Sequence, residues 1–109
     1  MQITQTKFSP VGIKFILTDN GKQMGRVFLY ILKNDLHQHP FGFMEDLFLE
    51  EEFRSKGNGQ KLVQAVMEEA KKQGCYKLIG TSRYEREKVH DFYKKLGFKD
   101  YGKEFRLDL

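Results

Sequence analysis

The chain has 109 residues, of which 39% are hydrophobic and 31% charged, with a formal net charge of +4. That length suits one domain, so we expect residues 1–109 to fold as a single domain. No apolar run approaches the ~20 residues of a membrane span, and the first residues lack the apolar core of a signal peptide, so we expect neither kind of segment in residues 1–109.

The single cysteine, Cys75, cannot form an internal disulfide. This favours a reducing interior, and we therefore expect the protein in the cytoplasm. Charge is unevenly distributed: residues 43–53 contain five acidic and no basic residues, whereas residues 54–109 contain fourteen basic and eight acidic residues, a net +6. Solvated surface is the simplest interpretation. The sharper hypothesis is a polyanionic ligand on the basic side and a cationic substrate near the acids.

The first half of the chain predicts strands. Residues 11–18 and 24–32 are rich in β-branched and aromatic residues, and the turn residues Asn20 and Gly21 between them predict a hairpin. Residues 2–8 predict a weaker edge strand. In the polar loop of residues 33–40, His37 and His39 have no further ligands of a suitable kind nearby, so we expect no metal site.

Residues 41–49 predict a third strand. Its period of two places Phe43, Glu45, Leu47 and Leu49 on one face and Met44, Asp46 and Phe48 on the other. One carboxylate therefore falls on each face of an apolar strand. Such a position costs free energy unless the carboxylate is paired, hydrated or used in the protein's function.

The second half predicts helices. Apolar residues at helical spacing indicate a helix from residue 58 or 59 to 73 and another over residues 86–96, with a short strand at 76–82 between them. Residues 98–101 and 103–109 predict a final hairpin whose inward side chains are Phe105, Leu107 and Leu109. The fold class is therefore α/β (α+β), with a mixed, largely antiparallel sheet of about six strands, a central β-α-β crossover and two main helices.

Two motifs carry candidate chemistry. The first, Arg54-Ser55-Lys56-Gly57-Asn58-Gly59, places glycines and positive charge where a strand leads into a helix N-terminus, a location suited to phosphate. It matches neither the P-loop nor the dinucleotide fingerprint, so an ordinary tight turn remains an alternative. The second is His90 to Phe98, in which Tyr93 lies on the apolar stripe of the helix; taken alone, a tyrosine there is more often a core residue than a catalytic one.

Together, R-x-x-G-x-G at a helix start and F-Y-x-x-x-G-F about 35 residues later resemble the GNAT superfamily of acetyl-CoA-dependent N-acetyltransferases. The resemblance covers residues 24–98. It is strongest around FMEDLFLEEEFRSKGNG, which looks like the diamine (spermidine/spermine-like) acetyltransferase branch. It implies acetyl-CoA as co-substrate, an amine acceptor and no metal.

The resemblance also implies residue roles. Tyr93 would be the general acid that protonates the departing thiolate, and Glu45 the base for the amine, directly or through water. Asp46 would orient a cationic acceptor. Arg86 stands where the family usually has asparagine, and it could instead meet a phosphate. The implied cofactor contacts are the strand end Leu47, Phe48 and Leu49 for the pantetheine arm, and Arg54, Ser55, Lys56, Gly57, Asn58, Gly59 and Gln60 for the pyrophosphate.

The expected activity is acetyl transfer by direct attack of a small amine, a polyamine-like amine, or a lysine or N-terminal amine. No covalent enzyme intermediate is needed, so we expect Cys75 to be a core residue. A non-catalytic acyl-CoA-binding module is the alternative. Nucleic-acid binding is disfavoured because the aromatic residues follow core periodicity. The family usually has two early helices that wall the acceptor site. No helical period precedes residue 58, so either this cleft is open or a second subunit closes it as a homodimer.

Overall fold

The computed structural model describes all 109 residues and contains a four-stranded sheet, two α-helices and one 3-10 turn. The strands are β1 (Val11–Asp19), β2 (Lys22–Leu32), β3 (Phe41–Leu49) and β4 (Leu78–Gly80). The helices are α1 (Asn58–Lys72) and α2 (Glu87–Lys95), and a 3-10 turn spans Glu51–Phe53. The mixed α/β architecture with two helices is therefore confirmed, with four strands instead of about six.

The sheet order is β1-β2-β3-β4, antiparallel except for the parallel pair of β3 and β4. The predicted hairpin forms: Asn20 and Gly21 both have positive φ, 51° and 76°, which gives the two-residue turn that suits the twist of the flanking strands. α1 connects β3 to β4 and covers one face of the sheet. The strand–helix–strand crossover predicted from the sequence is thus present.

The core lies between that face and α1. Its buried residues come from β2 and β3 on one side, and from the apolar stripe of α1 on the other: Val27, Leu29, Met44, Leu62, Val63, Val66 and Ala70. Burying each large aliphatic side chain contributes roughly 1.5–3 kcal/mol, so this layer is the main stabilising contact of the fold. Cys75 is half-buried against the cluster, as expected for a core residue, and burial raises the pKa of its thiol.

Four predicted strands differ from the structure. Residues 2–8 form no strand, and the predicted strand 76–82 is reduced to Leu78–Gly80. The predicted hairpin of residues 98–101 and 103–109 is also absent, and the side chains expected to point inward are exposed. An isolated hairpin is marginally stable because its apolar face needs another layer. No such layer reaches this segment within one chain.

Candidate active site

A β-bulge in β3 determines where the two carboxylates lie. Phe28 pairs with Glu45 and Arg26 pairs with Phe48, so one residue of β2 faces two residues of β3, Asp46 and Leu47. Asp46 adopts the left-handed conformation with φ 56°, which aspartate tolerates better than most residues. The bulge bends the strand and ends its strict alternation.

The predicted faces of β3 are therefore wrong beyond the bulge. Met44 contributes to the core layer, and Leu47 and Leu49 also pack against that layer, although they differ from Met44 in parity. Glu45 and Asp46 are both exposed, so neither carboxylate is buried in an apolar face. The two acids stand side by side at one bend, and each retains its hydration.

The pairing of β3 with β4 ends just before this bend. Their parallel register ends at the pair Met44 and Gly80, whereas β3 continues to Leu49. Residues 45–49 therefore have no strand on their β4 side. The side chains of Leu47 and Leu49 pack against the core, so this segment presents backbone groups on its unpaired side. An extended molecule could add to this edge as a strand would.

The loop after β3 leaves a run of backbone donors unused. None of the N–H groups of residues 55–60 donates to a backbone carbonyl of the protein. Ser55 and Gly57 have positive φ, 62° and 83°. Turns that contain left-handed residues can gather successive N–H groups into a concave anion-binding surface. Gly57 is the N-cap of α1, no side chain caps this end, and the first turn contains no acidic residue. The helix N-terminus thus keeps its partial positive charge for an anion.

Two side-chain hydrogen bonds fix this loop, one to the end of β3 and one to the 3-10 turn. Arg54 donates from Nε to the carbonyl oxygen of Leu49 at 2.9 Å, and Asn58 donates from Nδ2 to that of Phe53 at 3.0 Å. Asn58 is only 7% exposed, which makes it a structural residue as well as the first residue of the helix. The unused N–H groups are therefore presented by a loop tied down at both ends.

Gly59 is the point where β3, α1 and α2 meet. A Cβ built at Gly59 would lie 3.5 Å from Cζ of Phe92 and 3.6 Å from Cδ1 of Leu49. Phe92 precedes Tyr93 on α2, and their ring centroids are 5.6 Å apart. The structure thus brings the helix that carries Tyr93 to the start of α1, where the loop ends.

Tyr93 is half-buried, and its ring also contacts Phe98, with centroids 5.3 Å apart. Burial raises the pKa of the Tyr93 phenol above its ordinary value, and the positive charge of Arg86 offsets part of that rise. The hydroxyl has no partner among the side-chain hydrogen bonds of the protein. The phenol therefore keeps its proton at neutral pH and remains free to donate it.

Most of the chain matches one known protein family. The sequence model of the Acetyltransferase (GNAT) family matches residues 4–98. This chain belongs to the GNAT family of acetyltransferases. Members of the family use acetyl-CoA as the acetyl donor.

The GNAT relatives of this chain differ in the activity for which they are named. The chain is 38% identical over 68 residues to glucosamine 6-phosphate N-acetyltransferase of Trypanosoma brucei brucei, covering 62% of this chain and 44% of that protein. It is 30% identical over 97 residues to N-alpha-acetyltransferase 30 of Schizosaccharomyces pombe, covering 87% and 63%. A crystal structure of a Trypanosoma brucei acetyltransferase matches with TM-score 0.78 and 31% identity, covering 92% and 69%. The chain thus spans less than two thirds of both curated relatives.

The remaining predicted site residues lie either between β3 and the first turn of α1 or near Tyr93. Ser55, Lys56 and Gln60 are exposed on the loop and the first turn of α1. Arg86 is the N-cap of α2 and lies close enough to Tyr93 to influence its pKa. No group of three or more His, Cys, Asp or Glu side chains is arranged to hold a metal ion, and no helix is long and apolar enough to cross a membrane.

Two residues near this site, Arg26 and Phe92, were not among the predicted site residues. The guanidinium of Arg26 lies 4.9 Å from the ring centroid of Phe48, and the guanidinium of Arg54 lies 5.4 Å from the same centroid. Phe92 fills the space above Gly59. The helical spacing of α2 predicted an apolar position at Phe92, but it did not predict that Phe92 packs beside Gly59. No sequence signal identifies Arg26, because its contact with Phe48 depends on the register after the bulge.

Proposed function

We propose that this chain is an acetyl-CoA-dependent N-acetyltransferase that moves the acetyl group by direct attack of a primary amine on the thioester. The observation that carries the proposal is the run of unused N–H groups over residues 55–60, at an uncapped helix N-terminus next to the part of β3 that is not paired with β4. A pyrophosphate is the part of acetyl-CoA that such donors suit. The pantetheine arm has the extended shape and amide groups that suit the free edge of Leu47–Leu49.

Charges near the loop support the same orientation of the donor. Arg54 and Lys56 lie in the loop, and Arg86 lies at the start of α2. We assign the pyrophosphate to the loop and its two basic residues, and a phosphate contact to Arg86. Arg54 has a second role, since its Nε already bonds to Leu49 and orients the strand end.

The acid–base residues fit the proton transfers that the reaction requires. An alkylamine with a pKa of ~10 is almost wholly protonated at pH 7, so it must lose a proton before its nitrogen can attack. Glu45, hydrated at the bulge, accepts that proton directly or through water, and the adjacent Asp46 holds a cationic acceptor. As the C–S bond breaks, the Tyr93 hydroxyl donates its proton to the sulfur. Arg86 favours the phenolate that this leaves.

The acceptor is proposed only as a primary amine. The names of the two curated relatives specify glucosamine 6-phosphate and an N-alpha position, which supports an amine without selecting among amines. The diamine-type acceptor suggested by the strand sequence remains one member of this set. Asp46 and Glu45 favour an acceptor that carries positive charge.

A second candidate, a non-catalytic acyl-CoA-binding module, is favoured by one observation. No α-helix precedes Asn58, so the two early helices that the family places at the acceptor site have no counterpart in residues 1–57. An acceptor would not be positioned by a helical wall from that part of the chain. Such a protein would bind acetyl-CoA through the same loop without turnover.

Titration calorimetry with acetyl-CoA, paired with a thiol-release assay, tests both candidates. The assay should compare polyamines, aminoglycosides, amino sugars, amino acids and peptides with a free N-terminus. We expect binding at micromolar levels and amine-dependent thiol release. Binding without release by any amine would favour the module, and absence of binding by the folded protein would contradict both candidates.

A further inference from the structure

The side chain of Arg26 spans the bulge in β3. Arg26 lies on β2 opposite Phe48, in the first pair after the bulge. Its Nη1 donates to the carbonyl oxygen of Asp46 at 3.4 Å, and its guanidinium lies 4.9 Å from the ring centroid of Phe48. One side chain therefore contacts β3 at the left-handed residue of the bulge and again two residues later.

The conformation at Asp46 needs support from its surroundings. A residue other than glycine is strained at a positive φ, here 56°, and it persists there only where neighbouring contacts determine it. A regular strand over the same residues would relieve that strain. It would also turn Leu47 and Leu49 away from the core, because a shift of one residue reverses the faces of a strand. Packing of the two leucines and the contacts made at the bulge itself therefore both favour the bulged strand.

Arg26 has no competing partner. It is half-buried, and it takes part in neither of the two ion pairs of the protein. The carbonyl oxygen of Asp46 is the one acceptor of its side-chain hydrogen bonds. A planar guanidinium can stack on an aromatic ring with its face while its edge donates to an oxygen, which an ammonium cannot do. The Arg26 side chain thus interacts with the backbone and the ring of β3, and with no carboxylate.

The same segment of β3 is held from its other end by Arg54. Arg54 donates from Nε to the carbonyl oxygen of Leu49, and its guanidinium lies 5.4 Å from the ring centroid of Phe48. β2 also approaches closely here, since a Cβ built at Gly25 would lie 2.6 Å from the carbonyl oxygen of Phe48. Residues 46–49 are therefore fixed from β2 and from the loop, although they have no pairing with β4.

We propose that Arg26 is a positioning residue for acetyl transfer, which holds residues 46–49 in the bulged conformation that receives acetyl-CoA. The inference rests on the proposed function, because this segment includes the strand edge assigned to the pantetheine arm. A segment that already has its bound conformation loses less conformational freedom on binding, so its affinity is higher. Without the Arg26 contacts, only the molecules in which the bulge is formed would be competent to bind. The apparent dissociation constant would rise in inverse proportion to that fraction.

Titration calorimetry and steady-state kinetics of Arg26→Gln test this role. If the bulge is then formed in about a tenth of the molecules, the dissociation constant and the KM for acetyl-CoA should rise roughly tenfold. At saturating acetyl-CoA, kcat should stay close to the wild-type value, because the bound cofactor selects the bulged form. Arg106→Gln removes an exposed arginine and is the matched control, which should change neither constant. An unchanged KM, or a fall in kcat alone, would overturn the proposal.

Arg26→Lys separates positioning from simple attraction of an anion. The lysine keeps the charge but cannot stack on Phe48 while it donates to Asp46, so acetyl-CoA affinity should stay well below that of wild type. Wild-type affinity in this variant would show that only the charge of Arg26 matters, which contradicts positioning. Phe48→Leu removes the ring from an exposed position, so it should leave the chain folded and weaken binding in the same direction. Unchanged affinity in Phe48→Leu would also count against the proposal.

NMR of the free protein tests the positioning without any acetyl transfer. The amides of residues 46–49 should show changed chemical shifts or microsecond-to-millisecond exchange in Arg26→Gln, but not in Arg106→Gln. Saturating acetyl-CoA should return these amides to their wild-type behaviour. A wild-type protein that binds no acetyl-CoA would contradict the proposed function. Amides that behave alike in free wild type and free Arg26→Gln would contradict the positioning role alone.

Discussion

At the scale of single residues, the proposed chemistry depends most on Tyr93. Its ring is fixed between Phe92 and Phe98, and its hydroxyl is not engaged by another side chain. The same burial that makes it resemble a core residue raises its pKa and keeps it protonated. The two sequence-based interpretations of Tyr93, core residue and acid, are therefore compatible, because the ring packs while the hydroxyl is free.

Replacing Tyr93 with phenylalanine should slow acetyl transfer roughly 100-fold or more, the contribution of one well-placed proton donor. Acetyl-CoA affinity should change little, because the ring still packs against its neighbours. Tyr76→Phe, which removes the hydroxyl of a ring stacked near His37, is the matched control. Steady-state rates with calorimetric affinities measure both quantities, and an unchanged rate in Tyr93→Phe would exclude this residue as the acid.

The raised pKa of Tyr93 also affects stability at high pH. A group whose pKa is higher in the folded state contributes stability that is fully present below its unfolded value, here 10.0, and lost as pH rises through the folded value. The free energy of unfolding should therefore fall more steeply above pH 10.0 in wild type than in Tyr93→Phe. Urea unfolding on both sides of that pH measures the difference. Parallel curves would show that Tyr93 ionises equally in both states.

At the scale of elements, the connection from β3 to α1 is built from backbone conformation. The bulge at Asp46 turns both carboxylates to solvent, and the residues after it return to the core layer in the other parity. Ser55 and Gly57 then turn the loop twice through the left-handed region before the helix begins. The stretch from the bulge in β3 to the start of α1 therefore contains the proposed base and the proposed acetyl-CoA site.

Gly57→Ala and Gly59→Ala should have opposite effects on stability. Gly57 has φ 83°, a conformation that costs a residue with a Cβ about 1–2 kcal/mol. Gly59 lies inside α1 without positive φ, and an added Cβ would find ordinary contacts with Phe92 and Leu49. Alanine there should be neutral or stabilising by about 0.5–1 kcal/mol, because it favours helix. Urea midpoints of both variants test this, and equal losses would contradict it.

At the scale of the whole molecule, the sequence predicted the elements whose signals are local. The Asn20-Gly21 turn and the apolar stripes of α1 and α2 need no distant partner to be recognised, and they are present with small shifts in bounds. The glycine loop at the start of α1 was located in the same way. These features carry most of the fold and the proposed donor side of the site.

The features that sequence did not predict depend on partners far along the chain. The bulge at Asp46 requires β2 to be in register with β3, so period-two counting assigned the wrong faces beyond it. The C-terminal hairpin failed because Phe105 and Leu107 find no apolar layer within one protomer. The identity of the acceptor could not be predicted either, since residues 1–57 contain no helix that would shape an acceptor site.

The donors at residues 55–60 also affect how freely this protein can change in sequence. They are main-chain groups, so exchanging the side chains of Ser55, Lys56 or Gln60 deletes none of them, and only proline would remove one. What must persist is the path of the backbone. Binding through main-chain N–H groups tolerates side-chain substitution. It can therefore be retained when the sequence of the loop diverges. Relatives that share only 38% or 30% of their aligned residues with this chain are compatible with that tolerance.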